Sequence, residues 1–247
     1  MRNIKLLIEY DGKDFNGWQK QPNKLNIQGE IERAISEITK EENIDLTASG
    51  RTEAGVHALG QVANFHTNSS IDIDKIPYAI NSKLPKSIVI LKAEEVEERF
   101  HSRYNCKLKT YRYIVNNNEF PSALNRYREY HMPYKLDYEA MEKAIKCFEG
   151  EHDFKGFKSS GGNAKKTTVR TLTKCTIKKE NERIIIELTG NGFLYNMVRI
   201  ISGTIVDVGL GKIKAEDIPE IIKSGIRTNA GKTLPPHGLY LVSVEYN

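Results

Sequence analysis

Residues Ser49–Ala58, with the sequence SGRTEAGVHA, combine an arginine, a carboxylate and a histidine with two glycines. The segment has neither the two-residue period of a strand nor the 3.6-residue period of a helix, so it is predicted to be a loop. Its charged side chains stand where packing does not require them. Two interpretations follow, a solvated surface loop or a loop that carries an active site.

Strand and helix patterns flank this loop on both sides. The predicted strands are Lys5–Tyr10, Gln61–Thr67, Ile88–Val96, Lys107–Val115, Thr167–Lys179, Ile184–Thr189 and Gly238–Tyr246. The predicted helices are Leu25–Ile38 with Asn26 as its N-cap, Lys75–Lys83, a segment capped by Asp137, and Leu194–Leu210. Because the order strand, helix, strand occurs twice, we predict an α+β protein with two similar α/β halves, residues 1–103 and 104–247. The halves are expected to share a mixed, largely antiparallel sheet with a cleft between them.

The charge balance favours a polyanionic partner without requiring one. The chain has 37 Lys and Arg against 32 Asp and Glu, a net charge of +5. Basic side chains cluster in two short stretches near aromatic residues, which suits a nucleic-acid groove. The members are Arg99, Arg103, Lys107, Lys109 and Arg112 in one stretch, and Lys155, Lys158, Lys165, Lys166 and Arg170 in the other.

Several classes of protein are disfavoured by what the sequence lacks. Three widely spaced cysteines predict neither a disulfide framework nor a metal site, and they fit a reducing cytoplasm. No secretory signal precedes Ile4, and polar residues interrupt the longest apolar region, Phe193–Leu210, which is therefore predicted to be a buried helix and not a membrane span. There is also no phosphate loop and no dinucleotide fingerprint.

Five segments together resemble one family. The residues GRTEAGVHA at 50–58 resemble the G-R-T-D-x-G-V-H-A signature of the tRNA pseudouridine synthase A family. The other matching segments are YDGKDFNGWQKQ at 10–21, FHSR at 100–103 with KTYRY at 109–113, GNGFLYNMVR at 190–199 and PPHGLYL at 235–241. The match follows the family order over nearly the whole chain.

The resemblance implies both a fold and an activity. Members of this family isomerise uridine to pseudouridine in the anticodon stem-loop of tRNA, breaking the bond from ribose to uracil N1 and remaking it to C5. The implied fold is the pseudouridine synthase fold with a central RNA-binding cleft. A homodimer that binds tRNA across both subunits is implied as well, with no metal, no organic cofactor and no membrane association.

The resemblance also assigns roles to individual residues. Glu53 matches the family's catalytic aspartate, and Arg51 matches the arginine that fills the space left by the extruded uridine. Arg199 matches the arginine that pairs with the catalytic carboxylate, and Tyr111 matches the tyrosine that packs on the target uracil. Structural alternatives are a salt bridge from Arg51 to Glu53 or another local acid, an ordinary sheet aromatic at Tyr111, and a bridge from Arg199 to Asp207 or a remote acid.

Further residues in the matched segments are expected to bind substrate. These are Leu241, His57, Lys109 and Arg103. The glycine-rich basic segment 159–166 is expected to contact phosphates.

The chain departs from the family pattern at three positions. Glu53 is longer than aspartate by one methylene, Ile226 stands where Asp is usual, and Leu234 stands where Ala is usual. An active enzyme with an adjusted loop, an RNA-binding paralogue or chaperone without catalysis, and a substitution made to trap a complex each account for Glu53. An unrelated α+β protein that uses the acidic loop for a small molecule is a further hypothesis.

Overall fold

The computed structural model describes residues 1–161 and 167–246. The chain divides into two compact units, Met1–Lys107 with Tyr240–Asn247, and Leu108–Leu239. The predicted halves instead divide between residues 103 and 104 and assign the last strand to the second half. That strand lies with the first unit because its residues Tyr240 and Leu241 pair in parallel with His57 and Ala58, a long-range contact that no local pattern encodes.

The first unit contains a sheet and two α-helices. Its strands are β1 (Arg2–Tyr10), β2 (Thr47–Ala48), β3 (His57–Thr67), β4 (Ile88–Val96) and β10 (Leu239–Glu245), and its helices are α1 (Ile27–Thr39) and α2 (Ile76–Asn81). Strand β1 lies between β4 and β3 and is antiparallel to both, while β10 runs parallel to β3. Ile4, Leu6 and Ile8 of β1 are fully buried, so one face of β1 builds the core of this unit.

The second unit contains the remaining strands and α-helices. Its strands are β5 (Leu108–Asn116), β6 (Tyr130–His131), β7 (Gly150–Asp153), β8 (Val169–Glu180) and β9 (Arg183–Gly190), and its helices are α3 (Tyr138–Lys146), α4 (Met197–Gly209) and α5 (Ile218–Ser224). Strands β5, β9, β8 and β7 follow one another in antiparallel order, and β6 pairs in parallel with β5. Strands and helices together confirm the α+β class.

The predicted N-caps of two helices are confirmed. The Asn26 side chain accepts a hydrogen bond from Gly29 N at the start of α1, and the Asp137 side chain accepts one from Ala140 N at the start of α3. Each cap satisfies a backbone N–H that the first helical turn leaves without a partner. Short polar side chains before an apolar stripe were therefore a sufficient signal at both sites.

Helix α4 begins three residues later than its hydrophobic pattern predicts. Asn196 has φ +63°, a left-handed conformation that cannot continue a helix, and Met197 N donates to Leu194 O across the resulting turn. Past the turn, α4 is buried on most of its surface, as predicted. The α3 and α4 helices approach closely at Gly209, where a Cβ would lie 2.6 Å from Met141 Sδ.

None of the helices formed by residues 1–161 and 167–246 is both long and apolar enough to cross a membrane.

Two neighbouring positions in α4 give opposite predictions for stability. Ser202 is fully buried, and its hydroxyl has no hydrogen-bond partner among the described residues. We expect Ser202→Ala to raise the free energy of unfolding by about 1 kcal/mol, because it removes an unsatisfied polar group. At Gly203 a Cβ would lie 1.9 Å from Lys232 O. Gly203→Ala should therefore lower the free energy of unfolding by about 2 kcal/mol, although alanine is the better helix former.

Urea denaturation of the two variants and the parent chain measures both effects. Effects of the same sign at the two positions would contradict this description of α4.

Candidate active site

The loop between β2 and β3 is fixed at its first residues. Ser49 N donates to Val62 O at 2.8 Å, and the Ser49 hydroxyl donates to Gln61 Oε1 at 2.7 Å. The same amide of Gln61 donates through Nε2 to Gly50 O at 2.9 Å. Ser49 and Gln61 are fully buried, so these bonds are shielded from water and tie the start of the loop to β3.

Thr52 is held through both its side chain and its backbone. The hydroxyls of Tyr10 and Thr52 lie 2.7 Å apart in a buried hydrogen bond, and Trp18 N donates to Thr52 O at 3.1 Å. Burial raises the pKa of Tyr10 well above its ordinary value, and the hydrogen bond to Thr52 offsets only part of that rise. The Tyr10 hydroxyl is therefore neutral, and it anchors the loop through its hydrogen bond to Thr52.

Arg51 and Glu53 flank the anchored Thr52. The Arg51 side chain is exposed, and it forms no hydrogen bond or ion pair with any described residue. Glu53 is partly buried and interacts with other groups of the protein. Its carbonyl oxygen accepts a hydrogen bond from Val56 N at 3.2 Å in a tight turn. In the described part of the chain, the salt bridge between Arg51 and Glu53 that the sequence left open as an alternative is not formed.

Two glycines allow the loop to pack against the segment that follows β1. A Cβ at Gly12 would lie 2.0 Å from Val56 O, and a Cβ at Gly17 would lie 2.7 Å from Thr52 O. Gly17 also has φ +88°, a conformation that disfavours any other residue. The backbone on either side of Glu53 is therefore in direct contact with a second loop and cannot shift toward it.

His57 and Leu241 lie side by side at the end of the loop and are both buried. The His57 ring stacks on Tyr240 at a centroid distance of 4.9 Å, and its Nδ1 lies 3.1 Å from both Gly12 N and Asp11 Oδ1. Leu241 pairs with Ala58, the residue after His57, and is fully buried. The His57 ring therefore packs inside the first unit, where it supports the loop.

Arg103 occupies a different segment of the first unit. Its side chain is exposed, and its backbone N–H donates to His101 Nδ1 at 3.1 Å. The neighbouring Ser102 is fully buried and accepts a hydrogen bond at its carbonyl from the Tyr246 hydroxyl at 2.7 Å. A buried residue thus fixes the backbone from which the exposed guanidinium of Arg103 extends.

In the second unit, Tyr111 lies in β5 with its ring against Phe193. The two rings meet edge to face at a centroid distance of 5.0 Å, and Tyr111 is 8% exposed. Its neighbour Tyr113 is fully buried and donates its hydroxyl to Pro235 O at 2.7 Å, as befits a structural aromatic. Lys109, at the start of the same strand, pairs with Gly190 and is partly buried.

Arg199 projects from the first turn of α4 and is only partly buried. Its Nε donates to Leu234 O at 2.6 Å, and its NH1 donates to Asn196 Oδ1 at 2.8 Å. Asp207, the acid considered as its structural partner, lies 3.7 Å from the Nζ of Lys212. The Arg199 guanidinium is thereby oriented by the carbonyl oxygen of Leu234 and the side-chain oxygen of Asn196. Arg199 also has further interactions.

The anchoring residues Tyr10, Thr52 and Gln61 were not predicted as part of the site. Tyr10 and Thr52 fall inside matched segments, but a hydrogen bond across 42 residues of sequence has no local signature. Among the described residues, no group of three or more His, Cys, Asp or Glu side chains is placed to hold a metal ion. Lys165 and Lys166, predicted to contact phosphates, lie outside the described residues.

Comparisons with known proteins place the chain in a family. A family model described as tRNA pseudouridine synthase matches residues 6–105 and 144–247. Relatives from Caldicellulosiruptor bescii and Acetivibrio thermocellus, both named tRNA pseudouridine synthase A, are 55% and 54% identical over 246 residues, with 100% of both chains covered. A Clostridium perfringens relative named tRNA pseudouridine synthase A 2 is 52% identical over the same length and coverage.

Solved structures give a much weaker likeness. A crystal structure of a Cbf5-Nop10-Gar1 complex matches with 12% identity and a TM-score of 0.33, covering 83% of this chain and 53% of that one, which is too distant to support an argument. The family model and the full-length relatives are sufficient. The chain belongs to the tRNA pseudouridine synthase A family, a family of isomerases.

The hydrogen bond between Tyr10 and Thr52 can be tested by a double-mutant cycle. We expect Tyr10→Phe and Thr52→Val each to lower the free energy of unfolding by about 1 to 2 kcal/mol, because each leaves the other hydroxyl buried without its partner. The double variant should lose less than the sum of the single losses, by about 1 kcal/mol. Denaturation midpoints of the four proteins measure this coupling, and strictly additive losses would contradict the proposed anchor.

Proposed function

We propose that this chain isomerises uridine to pseudouridine in the anticodon stem-loop of tRNA, with the Glu53 carboxylate as the reacting group. The family membership and the full-length relatives support the reaction and the tRNA substrate. The observation that carries the role of Glu53 is its position on a loop whose neighbouring residues are fixed by buried hydrogen bonds and by backbone contact.

The chemistry requires one bond to break and one to form. The bond from ribose C1′ to uracil N1 breaks, the base turns, and C1′ bonds to C5. The hydrogen on C5 leaves to solvent and N1 gains one, so the product is an isomer of the substrate. In this proposal the Glu53 carboxylate either attacks C1′ or C6, or stabilises positive charge at C1′ as the glycosidic bond breaks.

Because the loop backbone is fixed, the length of the Glu53 side chain decides where its carboxylate lies. Glutamate carries its carboxylate about 1.5 Å farther from the backbone than aspartate does. A displacement of about 1 Å at a reacting group can cost on the order of a hundredfold in rate. Because the backbone contacts Gly12 and Gly17 directly, the adjustment falls to the torsion angles of the Glu53 side chain.

The other predicted residues take complementary roles in the proposal. Arg51, exposed beside Glu53, occupies the space of the extruded uridine, and Tyr111 packs on the target uracil. Arg199 supplies positive charge to the reaction, aimed by its hydrogen bonds to Leu234 O and Asn196.

Four further residues are proposed to act on the substrate directly or through the loop. Arg103 and Lys109 contact RNA phosphates, since each retains solvent exposure. His57 and Leu241 are buried, so in this proposal they support the surface on which the target uracil lies and do not contact the RNA backbone.

Single-turnover tritium release from tRNA carrying 5-tritiated uridine tests the role of Glu53. We expect release by the parent chain and a loss of at least about a thousandfold in Glu53→Ala and in Glu53→Gln, which keeps the size of the side chain but removes its charge. Glu53→Asp should retain release, slower by up to about a hundredfold, because it keeps the carboxylate but withdraws it.

Two outcomes would contradict the proposal. Release that persists in Glu53→Ala would mean that another group performs the chemistry. No release from the parent chain with release from Glu53→Asp would mean that position 53 silences a competent scaffold, and the chain would then be an RNA-binding paralogue or chaperone.

We also propose that the protein is a cytoplasmic homodimer, an assembly that the family resemblance implies. Light scattering coupled to size exclusion should give a mass of about 56 kDa, twice the 28.1 kDa of one chain. A mass that stays near that of one chain at micromolar concentration would contradict the dimer.

A further inference from the structure

Arg170 is a buried arginine with unused hydrogen-bond donors. It lies in β8, is 7% exposed, and donates through NH1 to the carbonyl oxygens of Thr167 and Val169. Its Nε and NH2 donate to no acceptor among the residues that the structure describes. A guanidinium has five N–H donors, so most of its capacity remains available to a ligand.

The described residues provide Arg170 with no counter-ion. Burial alone lowers the pKa of its guanidinium, with no carboxylate acting in the opposite direction. Its partner across the strand pair, His152, is bonded to the carbonyl of Glu149, and the nearby carboxylate of Asp153 accepts from Thr168 Oγ1 and Lys155 N. A buried cation without an anion is unfavourable, and a bound anion relieves that cost.

Gly192 borders the guanidinium. A Cβ at this position would lie 3.4 Å from Arg170 Nε and 3.5 Å from its Cδ, so the glycine leaves that side of the guanidinium uncovered. The next residue, Phe193, packs edge to face on Tyr111. Arg170 is therefore adjacent to the segment that supports the tyrosine proposed to hold the target uracil.

We propose that Arg170, uncovered by Gly192, forms a subsite for one backbone phosphate of the bound tRNA. The subsite rests on the proposed function, because it takes tRNA as the polyanion. Adjacent guanidinium donors match the geometry of two phosphate oxygens, and such paired hydrogen bonds are directional as well as strong. The subsite thus fixes the position of the RNA backbone close to the stacked base.

The salt dependence of tRNA binding separates a phosphate contact from a purely structural arginine. Each phosphate contact that is lost reduces the slope of log K against log salt by about 0.7 to 0.9. We expect Arg170→Gln to weaken binding and to reduce the slope by about that amount. Arg170→Lys, which keeps the charge without the fork of donors, should keep the slope but bind more weakly.

Gly192→Ala tests the same subsite without changing the charge of the protein. Its methyl group would stand in ordinary contact with the guanidinium, so the fold should be retained while Nε is covered. We expect weaker tRNA binding and a reduced slope here too. Lys178→Gln is the matched control, since Lys178 is exposed and already paired with Glu180 at 2.6 Å, and its slope should match that of the parent.

Slopes that equal the parent slope in both Arg170→Gln and Gly192→Ala would overturn the subsite. If Arg170→Gln does not fold, the Gly192→Ala slope decides alone. The slopes are measured without reference to catalysis. If the parent chain binds tRNA but releases no tritium, the proposed function fails and the subsite is unaffected. If release is full but the slopes of the variants equal the parent slope, the subsite fails and the proposed function is unaffected.

Discussion

Gly12 and Gly17 lack side chains where the backbone of Thr52–Val56 passes, and this absence lets two loops meet in direct contact. The buried Tyr10 and Thr52 hydroxyls and the Gln61 amide then hold the same loop from its other sides. Arg51 and Glu53 lie on either side of the anchored Thr52. Because the backbone there has little room to move, it fixes the direction in which both side chains extend. Larger residues at either glycine would displace the loop before they affected any reacting group.

The local parts of this fold could be predicted from the sequence. Asn26 and Asp137 mark helix starts because capping depends on residues within one turn, and Ile88–Val96 was predicted with the bounds that the structure has. Contacts between distant segments have no such signature. The parallel pairing of the last strand with β3 and the Tyr10–Thr52 hydrogen bond therefore emerged only from the structure, although motif resemblance had already marked Glu53, Arg199 and Tyr111 as candidates.

The arginines of this chain differ in their hydrogen-bond and ion-pair partners, and this difference bears on how each can interact with RNA. Arg199 is oriented by neutral oxygens at the start of α4, and Arg170 is buried without a carboxylate. Arg170 therefore offers positive charge that no carboxylate among the described residues neutralises, whereas Arg112 is paired with Glu187 at 2.7 Å. A net charge of +5 says little about such differences, because the partner of each cation, and not the total, decides what it can bind.

Mapping pseudouridine along a tRNA transcript shows whether this chain modifies the anticodon arm through Glu53. The transcript is incubated with the parent chain or with Glu53→Ala, treated with a carbodiimide that labels pseudouridine, and copied by reverse transcriptase. We expect stops at one or more uridines of the anticodon arm with the parent chain and none with Glu53→Ala. Stops confined to other regions of the tRNA, no stops with the parent chain, or an unchanged pattern in the variant would rule out this role for Glu53.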